Sequence, residues 1–137
     1  MKRSELRENV FKLVFTLGED ADLNDESIEY YFNDNEISGN DSEYILNEVK
    51  NIKEHLEEID EIISENSHKY TFERLSAVTR GILRVAVYEI KYEADIPNGV
   101  CASEAVKLSE KYDDDKAKSY INGILGAYIR KLEEENK

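Results

Sequence analysis

Apolar residues recur at three- and four-residue intervals along nearly the whole chain, the spacing of one face of an α-helix. Leu6, Val10, Leu13, Val14 and Leu17 predict a first helix from about Ser4 to Leu17, stopped by Gly18. Ile28, Tyr31 and Phe32 predict a second from about Asp25 to Asp34, with Asp25 or Asn24 as its cap. A polar loop from Asn33 to Asp41 follows. A long pattern then runs through Tyr44, Ile45, Val49, Ile52, Leu56, Ile59, Ile62 and Ile63, and fits one helix or two broken near Glu54. Asn66 to Thr71 reads as a connection. From Phe72 to Tyr92 the chain is apolar almost all round, which predicts one central helix. Asp95 to Gly99, with Pro97 inside it, is a turn sequence. Two more helices are expected, about Cys101 to Tyr112 and Lys116 to Glu133, and one of Asp113 to Asp115 caps the second. With no alternating strand pattern, the predicted fold class is all-α, with six or seven helices.

Composition sets the frame for this pattern. A chain of 137 residues with 40% hydrophobic content fits one domain with a real core. Two helical subregions, about residues 1–67 and 68–137, are expected to share that core. The single cysteine, Cys101, excludes an internal disulfide and reads as a buried small hydrophobe. No apolar run approaches the roughly 20 residues of a membrane helix, and the charged start lacks a signal-peptide core. A cytoplasmic location is the expectation.

Charge changes the picture more. The net charge of -13 argues against generic nucleic-acid binding. It is unevenly spread, however. Residues 18–67 hold seventeen acids against two lysines, whereas residues 1–17 and 68–132 each carry a net charge of +2. Local basic surface therefore survives on both sides of an acidic block.

Catalytic chemistry finds little material. His55 and His68 lack ligand spacing, Cys101 has no thiol motif, and no phosphate-cradling glycine loop is present. The run Asp113 to Asp115 lacks the spacing and glycine of a calcium loop. Neither an enzyme nor a cofactor nor a metal site is expected. The first helix offers more: Arg3, Arg7, Phe11 and Phe15 recur at four-residue steps behind Lys2. Cations interleaved with aromatics suit single-stranded RNA, the cations meeting phosphates and the rings stacking on bases. Taken alone, the stripe is better explained as core phenylalanines beside ordinary surface charge. On the most apolar helix, Arg84 needs a partner, for which Glu104 is expected and Glu89 is the alternative. Arg80, nearer the helix start, is expected to stay exposed.

The sequence from Arg74 to Ile90 resembles the central pattern of the NusB family, "R-L-x-x-V-x-R-x-I-L-R-x-A-x-Y-E-L". Asp95, Ile96 and Pro97 match its "D-[VI]-P" turn, and Glu104 to Leu108 its "N-E-A-[IV]-x-L", with Ser103 in place of asparagine. Tyr120 to Leu125 match "[KR]-[FY]-[VI]-N-G-[VI]-L", with Ser119 in place of the basic residue. Arg3, Arg7, Glu8 and Phe15 resemble the family's opening helix. The resemblance implies about seven helices in two small packed bundles. It implies a transcription antitermination factor, a monomer or homodimer, that binds box A RNA of ribosomal RNA transcripts. The implied partners are a small-subunit ribosomal protein (NusE) and an RNA polymerase antitermination complex. Lys2, Arg3, Arg7, Phe15, Arg80, Lys116, Lys118 and Tyr120 are the residues it points to for RNA contact, and Arg7 is expected at the surface. A protein-interaction module of the same fold that has lost RNA binding is the alternative.

Overall fold

The computed structural model describes residues 1–15, 23–69 and 71–136. Among them are seven α-helices and no strand: α1 (Arg3–Val14), α2 (Asp25–Asp34), α3 (Gly39–Glu54), α4 (Leu56–Glu65), α5 (Ala77–Tyr92), α6 (Asn98–Tyr112) and α7 (Asp115–Glu135). The expected contributions of Leu17 and Gly18 to the first helix lie outside the described residues.

Helix α5 is the hub, packing against α1, α4, α6 and α7 and more lightly against α3. Every residue from Gly81 to Ile90 is buried, as a helix apolar on nearly all sides requires. Its neighbours turn Val10 and Val14, Ile59 and Ile63, Cys101 and Ala105, and Ile121 and Leu125 toward it, in one continuous core. Gly81 sets how closely α1 approaches. A Cβ there would stand 3.2 Å from the Phe11 ring and 3.3 Å from the Phe15 backbone. An isolated glycine in an apolar helix marks such a close contact.

Local chemistry fixes the boundaries. Asn24 caps α2, accepting from the Ser27 amide at 2.8 Å, while the Ser27 hydroxyl accepts from the Asn24 amide at 2.9 Å. Asp114 caps α7 by accepting from the amides of Lys116 and Ala117. The long third pattern is two helices, broken at His55. The chain enters α3 through positive φ at Glu36 and at Gly39, the helix's first residue, with Ile37 buried between them.

The predicted single helix over Phe72–Tyr92 needs correction. Phe72–Arg74 is one turn of 3-10 helix, Leu75 and Ser76 are extended, and α5 starts at Ala77. Ser76 accounts for the break: its hydroxyl accepts from the Thr79 amide at 3.0 Å, and a capping serine has non-helical backbone angles. The sixth helix starts three residues earlier than expected, with Pro97 at its N-cap.

Candidate nucleic-acid interface

The predicted contact residues fall into different environments. Lys2 is exposed just before α1, and Arg3 is exposed, its Nη2 donating to Asp95 at 3.3 Å. Both stand at the N-terminal end of α1. Phe15 follows the other end, about 18 Å away along a twelve-residue helix. There it shares a groove with Lys12, Val78 and Tyr112.

Arg7, between these ends, is not at the surface. Its side chain is 6% exposed, and Nε and Nη2 donate to the two carboxylate oxygens of Glu89, each at 2.7 Å. Glu104 approaches its Nη1 at 3.6 Å. This corrects two expectations. Arg7 is a clamp between α1 and α5, with its fork turned inward, so it presents no donor face to RNA. Glu104, the expected partner of Arg84, is drawn to Arg7 and Lys107 instead. Arg84 meets Asp60 of α4, donating from Nε at 2.8 Å and Nη2 at 2.9 Å. The geometry explains the exchange: Arg84 faces the α4 side of the hub, whereas Glu89 faces α1.

Arg80 is half-buried, not open, with its guanidinium 5.5 Å from the centre of the Phe72 ring. Cation–π attraction holds it there, and the same ring lies 5.6 Å from Arg84. Sequence spacing did not assign Phe72 this role.

On α7, Lys116 and Tyr120 stand one turn apart on the same face, whereas Lys118, two residues from each, points away from both. Lys116 and Lys118 are exposed in its first turns, Lys118 reaching Glu110 at 2.9 Å. Tyr120, one turn further on, is half-buried. It stands between a cleft of 230 Å³ bordered by Lys69 and Ile124 and one of 200 Å³ bordered by Arg74 and Asp114. Thr79 donates to Asp113 at 2.5 Å, joining the start of α5 to the end of α6. That contact places Tyr112 and its groove beside this surface.

Sequence reading missed Lys12, Lys111 and Tyr112. The Tyr112 ring has Lys12 at 5.9 Å and Lys111 at 5.4 Å, and packs 5.3 Å from Phe11. Lys111 and the Tyr112 hydroxyl both donate to Glu8. Burial acts to raise the Glu8 carboxyl pKa, but those two bonds outweigh it and hold the carboxyl below its ordinary value. Only Tyr112 carried a sequence signal, and its helical spacing read as core.

A surface of half-buried rings with lysines around them can stack bases and neutralise phosphates. The chain matches the NusB family model over residues 4–130. This chain belongs to the NusB family. It is 39% identical to the transcription antitermination protein NusB of Clostridium acetobutylicum, over 98% of this chain and all of that protein. Among solved structures, T. maritima NusB superposes with a TM-score of 0.83 at 33% identity, covering 95% of this chain and 92% of that one. A chain from a crystal structure of antitermination factors NusB and NusE in complex with dsRNA matches with a TM-score of 0.81 at 27% identity. That match covers 94% of this chain and 96% of the other. The family's all-helical fold is therefore the fold of this chain. No helix among the described residues is long and apolar enough to cross a membrane.

Proposed function

We propose that this NusB-family chain is a transcription antitermination factor that binds box A RNA jointly with the ribosomal protein NusE, as part of an RNA polymerase antitermination complex. Family membership carries the proposal, and the exposed Lys116 with Tyr120 one turn further along α7 supports it. The factor works in the cytoplasm by binding alone, without a chemical step. Phosphate contacts from exposed lysines position the strand, and aromatic rings read unpaired bases. With a net charge of -13, the chain gains little from long-range attraction to RNA. NusE is then expected to contribute part of the positive surface.

Equilibrium titration of box A-like RNA, with and without NusE and at two salt concentrations, tests the proposal. The expected result is weak binding alone, tighter binding together, and loss of affinity as salt rises. Absence of binding by the pair at low salt overturns it.

A further inference from the structure

Helix α2 packs only lightly against the other helices, and a groove opens between it and α3. Ile28 and Phe32, one turn apart on α2, and Leu46 on α3 form its apolar floor. Two cavities, of 330 Å³ and 260 Å³, lie along the groove and share Asp25, Ile28 and Lys50.

The rim of the larger cavity is acidic. Asp25 and Glu29, one turn apart on α2, and Glu43 on α3 are exposed there, and Lys50 is the cation beside them. Among the described residues, neither Glu29 nor Glu43 has an ion-pair partner. Lys50 reaches across from α3 to Asp25 at 3.7 Å. Its side chain is 53% exposed and that of Asp25 88%, so the pair contributes little and is readily exchanged. Lys50 lines both cavities, so its own side chain shows what the groove accepts: an aliphatic stem along an apolar floor, with a cation at the carboxylates.

We propose that the α2–α3 groove docks a basic segment of a protein partner. An arginine or lysine of that segment lays its stem on Ile28, Phe32 and Leu46 and brings its cation to Asp25, Glu29 and Glu43. Charge complementarity selects this occupant. Residues 18–67 hold seventeen acids against two lysines, so the groove lies in a negative field. Nucleic acid and anionic lipid are repelled there. None of the groove residues is among those named for RNA contact, and RNA binding can fail without touching this contact.

The probe is a synthetic alanine-based helical peptide carrying leucine and arginine four residues apart, titrated into the full chain and followed by amide-resolved NMR. It is expected to shift the amides of Ile28, Phe32 and Leu46, and the same peptide with glutamate in place of arginine is expected to shift none of them. Two double variants then locate the charge that matters. Glu29→Lys with Glu43→Lys reverses the rim. Glu61→Lys with Glu65→Lys makes the same change in net charge on α4, outside the groove. All four positions are exposed, where substitution spares the fold. The rim variant is expected to lower probe affinity by about tenfold or more, and the α4 variant by less than about twofold. Lys50→Ala, which frees Asp25, is expected to tighten binding by about twofold. Equal losses in the two double variants assign the binding to diffuse acidity and overturn the inference. Absence of groove shifts in the wild-type chain, or weaker binding by Lys50→Ala, overturns it as well.

Discussion

The seam between α1 and α5 and the surface around the start of α7 use the same kinds of residue to opposite ends. At the seam, Arg7 is 6% exposed and spends its donors on Glu89. On α7, Lys116 and Lys118 stand in water, and Tyr120 offers a ring between two clefts. A cation can thus be held inside as a clamp or left standing at the surface. Burial and the direction of its donors decide which. The seam holds the hub in place, and the α7 surface is the one proposed to meet RNA.

The largest expected effect lies at the seam. Arg7→Ala leaves Glu89 buried without its charge partner, which costs about 3–5 kcal/mol of stability. Chemical denaturation measures this, and a loss under 1 kcal/mol contradicts the clamp. The same residue, viewed only as part of a surface stripe, would have been expected to affect RNA binding and spare the fold.

Arg84→Ala gives the next effect, about 2–3 kcal/mol. It is smaller because Asp60 keeps 24% exposure, so water takes over part of the solvation that Glu89, at 5%, lacks. If Arg84→Ala proves the more damaging of the two, the ranking by burial is wrong.

Tyr120→Ala tests the other side of the comparison. Loss of one stacking ring lowers RNA affinity by about 1–3 kcal/mol, and Tyr120→Phe restores it. Equal affinity for all three proteins removes Tyr120 from the interface.

The α3–α5 seam carries an effect that is smaller per pH unit and builds up with pH. Glu48 is 8% exposed, and burial raises its carboxyl pKa well above the usual carboxylate range. A hydrogen bond with Glu93 and the charge of Glu89 push the same way, while Arg3 opposes them. Tyr44 and Tyr88 also face this group. The folded state therefore holds the proton more tightly than the unfolded chain. Stability is complete below the ordinary carboxylate pKa and falls as pH rises toward the elevated folded value. The slope is at most about 1.4 kcal/mol per pH unit. Glu48→Gln should flatten that slope in pH-dependent melting, and an unchanged slope assigns it to other groups.

Much of the fold was legible because helical periodicity is local. Residues Ile121, Leu125 and Tyr128 mark the buried side of α7 with no other information. The break at Ser76 was missed because capping involves one hydroxyl and one amide and does not disturb the apolar pattern. Of the candidate contacts on α7, the sequence placed Lys116 and Tyr120 one turn apart, while the turn of Lys118 toward Glu110 needed the position of α6. The pairing of the arginines was not, since Arg7 and Glu89 are 82 positions apart and no local signal separates Asp60 from Glu104 as the partner of Arg84. The 230 Å³ cleft beside Tyr120 was hidden for the same reason, its two sides coming from the end of α4 and the middle of α7.

The most direct test of the account is competition. The chain and NusE are bound to labelled box A RNA, and unlabelled box A or a scrambled RNA of equal length is added at fixed salt. Phosphate contacts are common to both competitors, so only base recognition separates them. The account predicts that box A displaces the label at clearly lower concentration than the scrambled strand. Equal displacement by the two RNAs contradicts it.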